Sequence, residues 1–124
     1  MKVVTKPWGK EIWIELNDKY CFKQVFLNEG FRTSYQFHRV KTETNFIVEG
    51  KAIVFLENNV GEIKRHELEA GDFFTVPPMI KHRVAAVTNL VMMEVSTPEV
   101  DDVVRLEDDS HRGNGRIASE HESV

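Results

Sequence analysis

The chain has 124 residues, of which 41% are hydrophobic and 29% charged, and its formal net charge is -4 at pH 7. This composition is typical of one globular domain, and the acidic balance argues against a nucleic-acid partner, which needs a basic face. The single cysteine, Cys21, excludes an intrachain disulfide and fits a reducing compartment. No secretory signal and no apolar run of about 18 residues is evident. We therefore expect a cytoplasmic protein without a membrane partner.

Short β-prone runs separated by turn residues follow one another along the chain. Asn58-Asn59-Val60-Gly61 is a favourable hairpin turn, because Asn and Gly tolerate positive φ. No stretch before residue 99 has a helical period, so the pattern predicts an all-β sandwich or barrel. We predict strands over residues 10–16, 20–27, 44–49, 51–57, 62–68, 73–76, 82–87 and 90–96. The aromatic residues expected in the core are Phe22, Phe26, Phe37, Phe46, Phe55, Phe73 and Phe74, whereas Trp8 and Trp13 are expected in the core or in a dimer contact.

The C-terminal end differs from the rest of the chain. From residue 107 onward there are no aromatic residues and few bulky aliphatic ones, and Gly113-Asn114-Gly115 interrupts the segment. We predict one domain over residues 1–112 and a loosely ordered polar tail over residues 113–124.

Two polar blocks have the spacing of a metal site. Gln36 and His38 are two residues apart, so they share one face of a strand, and a turn through residues 39–42 can bring Glu43 opposite them. A second block, which begins at Gly71, adds His82 from a distant strand. Imidazole and carboxylate groups in such numbers are a common first shell for Zn, Mn, Fe or Ni. His66, His111 and His121 lie in polar surroundings and are expected at the surface.

These blocks resemble the two motifs of the cupin superfamily, with Gln36 at the position of the usual first His and Met79 at that of a Gly. In detail, the sequence resembles the C-terminal cupin domain of type II mannose-6-phosphate isomerases, which is often fused to mannose-1-phosphate guanylyltransferase. The resemblance covers roughly residues 7 to 112. It rests on three matching segments, Pro7-Trp8-Gly9, Gln36-Phe37-His38 and Lys81-His82-Arg83, and on the acidic, arginine-containing residues 102–112.

The resemblance implies a single-domain cupin, an antiparallel jelly-roll β-barrel with a short polar C-terminal tail. It also implies one divalent ion, with zinc favoured over Mn, Fe or Ni, on Gln36, His38, Glu43 and His82. The implied reaction is the isomerisation of a sugar phosphate, in which the metal stabilises an enediolate. The residues expected to hold the phosphate are Arg32, Arg83 and Arg105. The base is expected to be Lys23, Glu43 or a hydroxide bound to the metal. Strand alternation points Arg83 away from His82 unless the strand bulges.

Two other classes of function stay open at the level of sequence. One is a non-catalytic cupin that binds a metal or a sugar as a sensor or accessory protein. The other is a metal-dependent oxygenase, which Gln36 disfavours because such sites prefer two or three imidazoles. We further expect a homodimer, because pairing of an exposed strand edge satisfies its free backbone groups, and the strand that carries Trp13 is a plausible partner.

Overall fold

The computed structural model describes residues 2–122. These residues form eleven β-strands and one short 3₁₀ helix, Ala118–His121. The strands are Lys2–Lys6 (β1), Gly9–Leu16 (β2), Cys21–Leu27 (β3), Tyr35–Phe37 (β4), Glu43–Glu49 (β5), Lys51–Glu57 (β6), Ile63–Glu69 (β7), Phe73–Val76 (β8), His82–Ala86 (β9), Leu90–Ser96 (β10) and Val104–Glu107 (β11). Within the described part of the chain, no helix is long and apolar enough to cross a membrane.

The strands pair into two antiparallel sheets. One sheet has six strands in the order β1-β2-β3-β10-β5-β8, and the other has five in the order β11-β4-β9-β6-β7. Several neighbours, such as β3 and β10 or β4 and β9, are distant in sequence, as expected when strands cross between two facing sheets. The predicted all-β, single-domain barrel is confirmed.

The connection between β5 and β6 depends on a glycine at the point where the chain passes from one sheet to the other. Gly50 separates the two strands and has φ +93°, a conformation that a side chain would strain. A Cβ atom at this position would also collide with the backbone carbonyl oxygen of Asn89. Glycine therefore allows β5 and β6 to leave one sheet for the other at a point of close backbone contact.

The interior is apolar at one end and ionisable at the other. On β10, Leu90 and Met92 belong to the apolar core, and Glu94 follows on the same face two residues later. Met92 pairs with Val25 of β3, and Glu94 pairs with Lys23. On both strands, the inward-facing side chains therefore change from apolar to charged at the same level of the barrel. The candidate site lies at this level.

The C-terminal segment lies against the barrel, which differs from the loosely ordered tail expected from composition. Glu120 is buried and its carboxylate lies 2.9 Å from Lys6 Nζ and 3.1 Å from Arg112 Nη1. The Gly115 N–H donates a hydrogen bond to the Val103 carbonyl. These partners are far away in sequence or in another element, so local composition does not reveal them. Residues 123 and 124 of the predicted tail lie outside the described residues.

Candidate metal centre

Three strands bring the predicted ligand residues together. Gln36 lies in β4, and its register partner across the sheet is His82, the first residue of β9. His38 directly follows β4, and Glu43 is the first residue of β5. His38, Glu43 and His82 are all buried. The two motif blocks thus meet inside the barrel, as the spacing of the sequence predicts.

The three side chains converge on one point. Oε1 of Glu43 lies 2.7 Å from Nε2 of His38 and 3.6 Å from Nε2 of His82. One ligand atom from each residue lies within 4.8 Å of the other two. Ligands that each sit about 2.1 Å from a zinc ion are about 3 to 3.5 Å apart, so these spacings fit one small cation.

The hydrogen bonds of the two imidazoles fix their tautomers. Nδ1 of His38 lies 2.5 Å from the carbonyl oxygen of Asp102, and Nδ1 of His82 lies 3.0 Å from that of Ile80. A carbonyl oxygen accepts only, so each Nδ1 carries the proton. In the neutral rings, the Nε2 lone pairs then face the Glu43 carboxylate, and backbone carbonyls orient the rings as in many metal sites.

The electron pairs of these three side chains point at one another, and a bound cation would remove the resulting repulsion. Nε2 of His38 is buried and has no hydrogen-bond partner, although an ionised carboxylate oxygen lies beside it. Two lone pairs at this distance repel unless a positive charge lies between them. Two neutral imidazoles and one carboxylate form a donor set suited to Zn, Mn or Fe and leave coordination positions open.

A buried cation keeps Glu43 in the form that ligates. Burial alone would favour the neutral acid, but the Lys41 ammonium, 3.8 Å away, holds the pKa of Glu43 well below its usual range. Lys41 also lies 3.1 Å from Glu94. Burial opposes the charge on Lys41, yet Glu94 and Glu43 raise its pKa, so Lys41 remains an ammonium ion.

Gln36 takes part less directly. Its Oε1 accepts a hydrogen bond from the Ser34 hydroxyl at 2.5 Å, and its side chain lines the same cavity as the three ligands. An amide oxygen can ligate a cation while it accepts one hydrogen bond, because it has two lone pairs. Gln36 is therefore placed for a weaker fourth contact.

A second charged cluster lies beside the centre. Lys23 Nζ lies 3.3 Å from Glu11 Oε1 and 4.5 Å from the centroid of the Trp13 ring. The Trp13 indole N–H donates to the same Glu11 oxygen at 2.9 Å. Burial opposes ionisation of Glu11, but Lys23 and Lys6 outweigh it and lower the pKa of Glu11 to about 2. The cluster therefore holds opposite charges inside the barrel.

Both clusters line one cavity of about 100 Å³. Its wall includes residues of the barrel strands and of the C-terminal segment: among the latter are Val103, Arg105, Arg112, Arg116, Ile117 and His121. The segment that follows β10 therefore closes the end of the barrel at which the metal ligands lie.

The predicted phosphate-binding arginines have different positions. Arg105 lines the cavity, and its Nη1 donates to the carbonyl oxygen of Gly115 at 3.0 Å. Arg32 lies at the surface and forms an ion pair with Asp109 at 2.7 Å. Arg83 is buried but is absent from the cavity wall, since strand alternation turns it away from its neighbour in β9. The structure thus brings one of the three arginines to the site.

Sequence reasoning missed several residues of the cavity wall. Lys41 and Asn45 share the parity of Glu43, and Glu94 continues the inward row of β10, so alternation is a signal that could have found them. The His121 side chain was expected at the surface but lines the cavity. No local pattern predicts that position, because it depends on where the C-terminal segment folds back.

The closed antiparallel barrel and its His-Glu-His centre define a protein of the cupin class. Residues 1–108 match the family described as mannose-6-phosphate isomerase C-terminal, and the chain belongs to this family. A comparison with curated proteins found no match.

Solved structures of low sequence identity share the fold. KdgF from Halomonas sp. is 18% identical, with a TM-score of 0.67 over 75% of this chain and 82% of its own. An RmlC-like cupin from Shewanella frigidimarina is 23% identical, with a TM-score of 0.66 over 78% of this chain and 83% of its own. Oxalate decarboxylase from Bacillus subtilis, which has Mn(II) centres, is 19% identical, with a TM-score of 0.73 over 86% of this chain and 30% of its own.

Proposed function

We propose that this protein is a metal-dependent sugar-phosphate isomerase that interconverts an aldose phosphate and a ketose phosphate, with mannose 6-phosphate as the first candidate substrate. The observation that carries the proposal is the convergence of His38, Glu43 and His82 on one point, with the His38 Nε2 lone pair buried and unpartnered. Family membership supports the choice of reaction.

The charge balance of the interior supports an anionic ligand. The buried charged residues that line the cavity are two lysines, Lys23 and Lys41, and three carboxylates, Glu11, Glu43 and Glu94, which leaves one net negative charge. A divalent cation turns this into one net positive charge. A phosphate group would be attracted to this interior, and the guanidinium of Arg105, whose Nε has no hydrogen-bond partner, is available to bind it.

In this proposal the ion supplies positive charge next to the oxygen atoms where negative charge develops during isomerisation. The protein's own residues orient the substrate. The Lys23 ammonium lies between Glu11 and Trp13 and can donate a hydrogen bond to a substrate oxygen. Of the expected bases, Lys23 is ion-paired and Glu43 faces the two histidines. A further group is therefore needed to move the proton.

The size of the cavity adds a requirement. A small-molecule site usually has about 300 Å³ or more, whereas the cavity here has about 100 Å³. A hexose phosphate therefore enters only if part of the wall moves outward. The C-terminal segment, residues 113–122, is the part of the wall best suited to this movement, because two ion pairs of Glu120 and a few hydrogen bonds hold it against the barrel.

The test is an assay of the protein loaded in turn with Zn, Mn, Fe and Ni. We expect at least one form to convert mannose 6-phosphate to fructose 6-phosphate, and we expect His82→Ala to be inactive. Unphosphorylated mannose is the matched control, because it retains the reacting carbons but lacks the anionic group. Absence of turnover with all four metals would refute the isomerase proposal.

The small cavity favours a second candidate, a non-catalytic cupin that binds a metal ion or a sugar. A site of about 100 Å³ holds an ion and a few water molecules without any movement of its wall. This candidate predicts that calorimetry detects stoichiometric metal binding, while no metal form turns over the sugar phosphate.

We also propose that the chain forms a homodimer. The outer face of the six-stranded sheet carries exposed apolar side chains on three neighbouring strands: Phe46, Val48, Phe73 and Val95. A contiguous apolar face of this kind is typical of an interface. Light scattering should give twice the chain mass of 14.4 kDa. A clean monomer mass at micromolar concentration would contradict the proposal.

A further inference from the structure

The cavity wall contains three polar atoms that lack a partner. Within residues 2–122, the buried side-chain nitrogen and oxygen atoms without a hydrogen bond are His38 Nε2, Arg105 Nε and His121 Nδ1. All three belong to residues that line the same cavity. Buried polar groups in folded proteins are nearly always paired, so three such atoms around one space indicate a missing ligand. The ion accounts for His38, and His121 has no role yet.

The position of His121 is well defined by its neighbours. Its ring meets the Trp13 ring edge-on, with centroids 5.4 Å apart and an angle of 84° between the planes. The adjacent Glu120 anchors the 3₁₀ helix through ion pairs with Lys6 at 2.9 Å and Arg112 at 3.1 Å. A histidine near the end of the chain is thus held in the cavity wall beside the cluster of Lys23 and Glu11.

His121 also differs from the other titratable groups of the wall. Among the described residues that line the cavity, each lysine and each carboxylate has an ionic partner within 4.0 Å. Burial lowers the pKa of His121, and the nearby charges of Lys2, Lys6 and Arg116 outweigh the opposite effect of Asp101. The imidazole is therefore neutral at pH 7 and has a lone pair to accept a proton.

We propose that His121 is the proton-transferring residue of the isomerase site. This inference rests on the proposed function. The His121 imidazole takes the proton from C2 of the aldose phosphate, the C–H electrons form the C1–C2 double bond, and the carbonyl oxygen becomes negative. The hydroxyl proton then passes from O2 to O1, the C2 carbonyl forms, and His121 returns its proton to C1. Atoms and electrons balance without a further reactant.

The C-terminal segment then has two functions, since it closes the cavity and supplies the base. His121 lies beyond residues 1–108, which match the family, so the group belongs to this chain's own extension. Closure would bring the base to the substrate and exclude water in one movement.

The test compares His121→Gln with His111→Gln, an exposed histidine of the same segment. With metal-loaded protein and mannose 6-phosphate, we expect His121→Gln to lower kcat at least about 100-fold. Its affinity for metal and its thermal unfolding should stay the same. The kcat of the wild type should fall at acid pH as His121 is protonated. The residual kcat of His121→Gln should not show this fall. His111→Gln should remain within about twofold of wild type.

A second measurement does not depend on turnover. In protein labelled with ¹⁵N-histidine, the ring signals of His121 should shift when mannose 6-phosphate is added, whereas those of His111 should not. Suppose that the wild type turns over, that the kcat of His121→Gln stays within about threefold of it, and that both proteins lose activity alike at acid pH. This result would overturn the role of His121 and leave the proposed function intact. No turnover in the metal-loaded wild type would overturn the proposed function, and the role of His121 with it.

Discussion

Asp102 supports the metal centre from outside the ligand set. Its carboxylate accepts backbone hydrogen bonds from Arg39 at 3.1 Å, Val40 at 2.8 Å and Lys41 at 3.0 Å. Its backbone carbonyl lies 2.5 Å from His38 Nδ1. One residue therefore holds the turn between β4 and β5 and orients a metal ligand. Burial opposes ionisation of Asp102, but the three N–H donors lower its pKa.

The variant Asp102→Ala removes the three acceptor contacts and keeps the carbonyl. Hydrogen bonds to charged groups contribute about 1.5 to 3 kcal/mol each, and less where solvent reaches them. Because Arg39 and Val40 are exposed, we count about 1 kcal/mol per bond and expect a loss of about 3 kcal/mol of unfolding free energy. Metal affinity should fall about 10-fold, because the turn that positions His38 against the Asp102 carbonyl is held less firmly.

Urea unfolding with and without EDTA measures the first effect, and calorimetric titration with Zn measures the second. The matched control is Asp101→Ala, because Asp101 is the preceding residue, is exposed, and only approaches Arg116 at 4.0 Å. The control should change stability by less than about 0.5 kcal/mol. If the two alanine variants unfold at the same urea concentration and bind Zn equally well, the role assigned to Asp102 is wrong.

Gly50→Ala should cost about 3 kcal/mol in urea unfolding, since its φ is +93° and a Cβ would collide with the Asn89 carbonyl. Gly61→Ala, with φ +83° and only a flexible Glu57 oxygen 4.0 Å from the new Cβ, should cost about 1 kcal/mol, and equal costs would contradict the clash. Met79 is exposed with φ +68°, so Met79→Gly should stabilise by up to about 1 kcal/mol, and a loss of stability would show that the Met side chain packs usefully. Asp108 is partly buried, but hydrogen bonds from a neighbouring arginine lower its pKa to about 2, below the 3.8 of the unfolded chain. Its contribution of about 1 to 2 kcal/mol is therefore present above pH 4 and lost between pH 4 and 2, so wild type and Asp108→Asn should converge in stability over that range; a constant difference would refute this.

The barrel was predictable because alternation and turn residues are local signals. The predicted strands overlap β2, β3 and β5 to β10, and the strand expected at Gln36 is β4, whereas β1 and β11 were not predicted. The weakest part was the assignment of faces. Phe73 and Phe74 were both expected in the core, but consecutive strand residues point to opposite sides, and Phe73 is 66% exposed. Phe46, its register partner in β5, is also exposed, so both residues belong to the outer face.

The candidate site was predictable where motif spacing determines it. His38, Glu43 and His82 converge because strand parity and two turns fix their positions. Lys41 depends on burial against Glu94, a contact between distant strands, and His121 depends on the fold of the C-terminal segment. Such positions follow from tertiary packing, which no short sequence window encodes.

The central claim is that His38, Glu43 and His82 bind one divalent cation. Elemental analysis of the purified protein, repeated after EDTA treatment and dialysis against Zn, Mn, Fe and Ni, tests it most directly. We expect one ion per chain in the wild type and in His66→Ala, an exposed histidine of β7, and none in His82→Ala. A wild type that retains no ion under any of these conditions, or a His82→Ala protein that binds as well as wild type, would contradict the claim.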